Sequence, residues 1–269
     1  ADAEPLIPQT ALMGMSKPMV MDGIDDYVSV NSACGITAFP FTMSGWGKVD
    51  SVGANHRALF TLCDSDGIPR HSVRIVTSTN YAQIYAHDGS SFNGASGSTD
   101  LEDSKWHHYV GVFENDTSKK LYVDGALINT LTTDIKFSAS GGDIDQFAIG
   151  NEATDSASEV WQGSINEVSI WNDDLSLAEV QELFNDGVAL DATTHSKSAN
   201  LTGYWRNDGA STWTDRSTNS NNGTVAGSPD TILLPEGTTS GKDILGFPLT
   251  HTNNGWLNLS GSEYVLPQS

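Results

Sequence analysis

Only two cysteines, Cys34 and Cys63, occur in 269 residues, too few for a disulfide framework to hold so long a chain. Cys63 falls in an alternating apolar run and Cys34 in a loop with glycine, so both are expected to be free structural thiols. Basic residues are equally scarce. Thirteen Lys and Arg stand against 34 Asp and Glu, a net charge of −21. Such a surface repels phosphate backbones and offers no basic stripe, which excludes nucleic-acid binding as the expected function. Long apolar runs are missing too. Nothing approaches the roughly 20 residues of a membrane helix, so no membrane insertion is expected. Residues 1–14 have neither a basic start nor an apolar centre and are not expected to be a secretion signal.

What is present points to short strands and many turns. Glycine is abundant at 26 residues, and Ser, Thr, Asn and Asp crowd the gaps between apolar runs. The clearest stretch is 105–131. Two apolar runs, 106–113 and 121–123, flank the polar tetrad Asn115-Asp-Thr-Ser118, and Asp124-Gly125 then turns the chain into 126–131. An Asp-Gly pair between alternating apolar residues is a strong type I′ hairpin signal, because both central residues need φ > 0. Three antiparallel strands follow from turn chemistry. Further strands are expected at 18–21, 27–30, 39–49, 57–63, 72–76, 81–87, 145–150 and 161–171. The single convincing helix spans 174–187: Ser176 and Glu179 form a capping box, Gly187 ends it, and Leu177, Val180 and Phe184 share a face.

Several of these stretches carry a resemblance. Trp106-His-His-Tyr-Val-Gly-Val-Phe113 followed by Lys120-Leu-Tyr-Val-Asp-Gly125 resembles the central hairpin of the laminin-G-like jelly rolls, within the concanavalin A-like lectin and glucanase superfamily. Met21-Asp-Gly-Ile-Asp-Asp-Tyr-Val28 resembles the family's opening motif, with Met21 where Phe is usual. Phe41-Thr-Met-Ser-Gly-Trp-Gly-Lys48, Asp145-Gln-Phe-Ala-Ile-Gly150 and Gly163-Ser-Ile-Asn-Glu-Val-Ser-Ile-Trp171 resemble later strands, with Asn166 in place of the usual Asp. The resemblance implies an all-β, two-sheet antiparallel jelly-roll sandwich with one short helix and extended terminal arms. It covers 17–190, leaving 1–16 as an N-terminal arm and 191–269 as a C-terminal extension. Trp46, Trp106 and Trp171 fall at core positions of the family.

The extension repeats family motifs out of order. Residues 201–225 resemble the strand that normally opens the domain, and 254–267 echo 18–30. Two routes are open for the extension: it folds back and supplies the missing opening strand of the sandwich, or it is a degenerate copy of a next domain's front that reaches as an arm toward a neighbour; the first is favoured for 201–225 and the second for 240–269. Trp205, Trp213 and Trp256 are candidate interface residues if exposed and anchors if buried.

Candidate sites follow from residue chemistry. Asp22, Asp25 and Asp26 cluster in one tight turn and suit a hard cation such as calcium, or serve as turn residues bonding their own backbone; Asp64 to Gly67 is a weaker loop of the same kind. Tyr81, Tyr85, His87, Asp88, Phe92 and Trp161 combine aromatic faces with polar groups and are candidates for stacking on a glycan; the same alternation also fits burial of Tyr81 and Tyr85. Hydrolytic relatives in the superfamily carry Glu-x-Asp-x-x-Glu on one strand. Here Asp143 and Asp145 share a face with no third acid, Glu167 stands alone, and His107 and His108 point to opposite faces. No enzymatic activity is expected.

The order of motifs also resembles proteins encoded by marine bacteriophages and their bacterial hosts, several of which look like virion surface components. That implies a non-enzymatic virion structural or decoration protein, displaying a lectin-like sandwich on a particle surface and aiding host attachment. Its partners would be other virion proteins or its own copies, with a host-surface glycan as ligand. The alternative from the same residues is a calcium-assisted carbohydrate-binding module of a secreted or cell-surface protein.

Overall fold

Turn chemistry sets the strand order at the centre of the molecule. Asp124 and Gly125 hold φ of 49° and 74°, the left-handed pair a type I′ turn requires. They join β9 (Ser118–Val123) to β10 (Ala126–Leu131), and β8 (Trp106–Asn115) precedes them. The computed structural model describes residues 18–65, 67–139, 143–153, 159–206 and 212–231, with strand segments at 241–242, 248–251 and 257–259. The remaining strands are β1 (Met19–Asp22), β2 (Tyr27–Val30), β3 (Phe41–Val49), β4 (Arg57–Cys63), β5 (Arg70–Ile75), β6 (Ala82–His87), β7 (Phe92–Ser96), β11 (Gln146–Ile149), β12 (Gln162–Trp171), β13 (Leu201–Trp205), β14 (Thr212–Trp213), β15 (Gly223–Ala226) and β16 (Asp230–Thr231).

These strands form two eight-stranded antiparallel sheets. The first runs β10-β9-β8-β3-β12-β1-β16, with β13 also on β12; the second runs β14-β15-β2-β11-β4-β5-β6-β7. Strand alternation sorts the side chains. On β8, Tyr109 and Phe113 enter the core between the sheets, while Val110 and Val112 point to the far side. The sheets approach closely at Gly111, where a Cβ would stand 2.6 Å from a methyl of Val73 on the opposite sheet.

The far side of the first sheet is covered by α1 (Leu177–Phe184). Ser176 and Glu179 form the reciprocal capping box, and Val180 and Leu183 pack on Val110, Val112, Tyr122 and Trp171. The helix stops earlier than residue 187, because Asn185 and Asp186 are left-handed. Leu177 turns outward, 46% exposed, so Leu183 replaces it on the packed face. Both cysteines are buried thiols outside any disulfide.

Residues 201–231 belong to this same compact unit, which extends to Thr231. The β12 edge is shared: β1 pairs with Gln162 to Ile165, and β13 with Val168 to Trp171. In the second sheet β15 pairs with β2. Residues 232–269 form a separate unit, in which β17 (Gly241–Lys242), β18 (Pro248–His251) and β19 (Leu257–Leu259) make a three-stranded antiparallel sheet. No helix among the described residues is long and apolar enough to cross a membrane.

Candidate functional site

The outer face of the second sheet gathers the residues with binding chemistry. Strand β5 alternates Arg70, Ser72 and Arg74 outward with His71, Val73 and Ile75 inward. Its register sets Arg70 opposite His87, Ser72 opposite Tyr85 and Arg74 opposite Gln83, while β7 places Phe92 opposite His87. Five side chains of three strands therefore share one face: Arg70, Arg74, Tyr85, His87 and Phe92.

The Arg74 guanidinium lies 3.9 Å from the centre of the Tyr85 ring, with that of Arg70 at 5.4 Å, a favourable placement of cations over an aromatic face. Arg74 donates to Gln83 Oε1 at 2.9 Å, to Glu152 Oε1 at 3.2 Å and to Glu159 Oε2 at 3.1 Å. Arg70 Nε stands 2.9 Å from Glu152 Oε1. Burial pushes the Glu152 carboxyl above its usual range; Arg70 and Arg74 oppose that and the Glu159 carboxylate adds to it. Burial likewise raises the Tyr85 phenol against the pull of both arginines. At the sheet edge the rings of His87 and Phe92 stack at 5.4 Å and 15°, and Phe92 is 66% exposed.

Toward the middle of the sheet, the hydroxyls of Thr61 and Ser72 sit opposite each other on β4 and β5. Both are buried without a hydrogen-bond partner, as is Gln146 Oε1 nearby. The exposed part of the face is thus the Phe92–His87 edge beside the partly exposed Arg70, while Arg74, Tyr85, Thr61 and Ser72 are buried.

The structure brings Tyr85, His87 and Phe92 together but not the other glycan candidates. Tyr81 precedes β6 and is half-buried. Asp88 is buried, its Oδ1 accepting the N–H groups of Ser90 and Ser91 and its Oδ2 that of Lys136; these bonds hold a turn. Trp161 is wholly buried between the sheets, edge-on to Tyr109 at 6.2 Å. Arg70 and Arg74 are the residues of this face that the sequence reading missed. Their signal was present, since two arginines four apart on a strand share a face. Glu152 and Glu159 come from a loop that no periodicity marks.

The acidic turn is real as a cluster: Asp22, Asp25 and Asp26 each bring an oxygen within 4.8 Å of the others. By donor chemistry the three carboxylates fit a hard cation. The same oxygens also build the turn. Asp22 Oδ1 accepts from the backbone of Ile24 and Asp25, and Asp26 accepts from Asp22 N through one oxygen and from Ser228 N, 202 residues on, through the other. Burial raises the Asp26 carboxyl, and those two N–H groups counter it. In the weaker loop Asp66 lies outside the described residues.

Of the tail tryptophans, Trp205 and Trp213 are wholly buried, Trp205 stacking on Phe147 at 5.2 Å. They stand in the sandwich core rather than at an interface, because β13 and β14 complete the two sheets from within. Trp256 lies outside the described residues. Glu167 is paired with Tyr204 and Arg206 of the tail, and His108 turns away from His107 to meet Ser44 Oγ at 2.7 Å while His107 meets Asp124 at 2.7 Å.

Comparison with known proteins adds the family. The sequence profile described as the concanavalin A-like lectin/glucanases superfamily matches residues 22–181. No curated protein matches the chain in sequence. Among solved structures the fold is similar to a Bacteroides ovatus protein described as a candidate carbohydrate binding protein, at 17% identity and a TM-score of 0.61 over 82% of this chain and 60% of that one. It is also similar to the CBM40 domain of a Ruminococcus gnavus IT-sialidase bound to α2,3-sialyllactose, at 14% identity and a TM-score of 0.51 over 62% of this chain and 96% of that one. The chain therefore spans less than two thirds of the length of the first of these, and identities so low speak for the fold alone.

Proposed function

The chain belongs to the concanavalin A-like lectin/glucanases superfamily, and from that premise we propose that it is a non-enzymatic glycan-binding sandwich whose binding surface is the outer face of β5, β6 and β7. The observation that carries this is the exposed ridge at the edge of that face: Phe92, 66% exposed, stacked on His87, with the partly exposed Arg70 opposite His87. Helix α1 lies on the other sheet and leaves this face clear of its packing. The exposed Phe92 ring stacks on the C–H face of a sugar, while the Arg70 guanidinium donates to its hydroxyls. The two structural neighbours, a candidate carbohydrate binding protein and a sialyllactose-bound CBM40 domain, are compatible with this reading.

In this proposal the chain performs no hydrolysis. Glycosidases need two carboxyls about 5–9 Å apart with the bond between them, whereas Glu152 and Glu159 both close on Arg74 and Glu167 closes on Arg206. Turnover of a β-glucan or alginate-type polymer by the full chain would overturn it.

The setting we propose is the surface of a phage particle, with the sandwich displayed outward. The separate unit at 232–269 supports it as the element that docks on other virion proteins or further copies. Cross-links from Lys242 to capsid, portal or tail proteins on native particles are expected; cross-links confined to its own copies, with release by a chelator or free sugar, favour the other reading. That other reading is a calcium-assisted carbohydrate-binding module of a secreted or cell-surface protein, with the ion at Asp22, Asp25 and Asp26. The convergence of their oxygens within 4.8 Å favours it. Glycan binding that vanishes with a chelator and returns with calcium tests it.

A further inference from the structure

A concave site lies at the end of the sandwich where β8 turns into β9. It is a cleft of about 580 Å³, walled by Phe39 and Phe137 and rimmed by Asn115, Asp116, Asp134 and Lys136. The two phenyl rings are half-buried and meet edge to face at 5.5 Å. Lys136 Nζ is held between Asp116 Oδ2 at 2.8 Å and Asp134 Oδ1 at 2.7 Å.

The far wall of this cleft, 135–139, is fixed by side chains that are costly to bury. Lys119, with no exposed surface, donates to the carbonyl of Ile135 at 2.9 Å and to those of Asn115 and Asp116 at 3.0 and 2.7 Å. His71, equally buried, bonds the carbonyl of Phe137 at 3.0 Å. Asp88, 3% exposed, accepts the N–H of Lys136 at 3.0 Å, and its own carbonyl accepts from Ala139 at 2.7 Å. Burial lowers the Lys119 ammonium to about 8 and the His71 imidazole to about 3. Hydrophobic residues would pack here at less desolvation cost. Three buried polar side chains converging on one loop backbone rigidify it, and rigidity at a concave surface lowers the entropy lost when a ligand binds.

We propose that this cleft is a second ligand site, distinct from the ridge on the second sheet, and that it takes the neutral pyranose ring of a saccharide. The phenyl walls receive the C–H face of the ring, the carboxylates of Asp116 and Asp134 accept its hydroxyl protons, and Lys136 and Asn115 donate to its oxygens. Glu114, which also lines the cleft, is matched by Lys120, and Asp116 and Asp134 against Lys136 leave the rim net negative, so uronates and other anionic sugars are disfavoured.

The test is chemical-shift mapping on the full chain with millimolar methyl β-D-glucopyranoside, methyl β-D-galactopyranoside and methyl α-D-mannopyranoside, against methyl β-D-glucuronide. At least one neutral probe is expected to shift amides at 114–117 and 134–137 with saturation, and the glucuronide to bind at least tenfold more weakly. Phe137→Ala should abolish the shifts. Exposed Lys136→Gln, which does not threaten the fold, should weaken them about fivefold. No saturable shift there with any neutral probe, an equal response to the glucuronide, or wild-type binding in both variants overturns the proposal. Shifts confined to residues around Tyr85 and Phe92 also overturn it, and leave the sheet-face reading standing.

Discussion

Tyr204 donates its hydroxyl hydrogen bond to Glu167, a residue its own strand holds at φ +54°. That backbone excursion is a bulge in β12, where the register against β3 slips between Asn166 and Ser169. It falls between the two stretches of the same strand that pair with β1 and β13. Arg206 Nε reaches the same carboxylate oxygen at 2.8 Å, so a charge from the tail neutralises a charge on the family's closing strand. The bulge is thus the point at which the extension is clasped to the sandwich.

Breaking that clasp should destabilise the fold asymmetrically. Tyr204→Phe removes one buried hydrogen bond to a charged group and is expected to cost about 2 kcal/mol. Arg206→Ala takes the compensating guanidinium from the buried Glu167 carboxylate and should cost about 3–5 kcal/mol. Urea unfolding of the full chain measures both. Equal and small effects, below about 0.5 kcal/mol, would show that the contact carries nothing.

The place of Trp205 and Trp213 predicts where the chain can be cut. Each ring is wholly buried, and burying about 200 Å² of such a side chain contributes about 5 kcal/mol before entropy is subtracted. A fragment ending at residue 190 also loses the β13 and β15 pairings and should lack a cooperative thermal transition. One ending at residue 231 should keep it. A cooperative transition in the shorter fragment contradicts this.

Two buried imidazoles set an acid limb. Burial lowers His71 to about 3 and His108 to about 4, partly opposed by a carbonyl bond and by Asp124 respectively. A base with a depressed folded pKa is neutral in the fold and protonated in the unfolded chain below about 6.5. The unfolded state then holds more protons, so stability is full above that pH and falls as pH drops. Each histidine contributes a slope of about 1.4 kcal/mol per pH unit, fully developed well below 6.5. Unfolding free energies of wild type and His108→Gln between pH 7 and 4.5 check it; the variant should lose one proton's worth of slope. Identical slopes would contradict it.

Asp26 and Asp25 separate the structural role of the acidic turn from a metal role. Asp26→Ala removes acceptors for Asp22 N and Ser228 N and should cost about 2–4 kcal/mol with or without calcium. Asp25 is exposed, and Asp25→Ala should stay within about 0.5 kcal/mol in a chelator. If calcium binds here, the ion raises the melting temperature of wild type and Asp25→Ala loses that rise. Thermal unfolding in calcium and in chelator distinguishes the cases.

Much of the sandwich was legible in the chain because its signals are local. Asp124-Gly125 dictates a turn by φ alone, and Ser176 with Glu179 marks a helix start by reciprocal bonding. Alternation placed Tyr85 and His87 on one face of β6. Which face points outward is a different matter, since period two assigns partners and not sides; Trp161 fits a sugar platform by pattern, yet Gly47 and Tyr109 enclose it in the fold. The route of 201–225 rests on pairings with residues about 35 and 200 positions earlier, which no local pattern encodes. The ion pairs of Arg74 with Glu152 and Glu159 span 78 and 85 positions and were invisible for the same reason.

The most direct test of the glycan-binding proposal is the affinity of the full chain for the glycans that score on a broad array, measured for wild type, Phe92→Ala, Arg70→Gln and Asp25→Ala. The account predicts at least one bound glycan, a loss of about tenfold or more in Phe92→Ala and in Arg70→Gln, and no change in chelator for Asp25→Ala. An array with no bound glycan, or Phe92→Ala and Arg70→Gln that bind as wild type does, would contradict it.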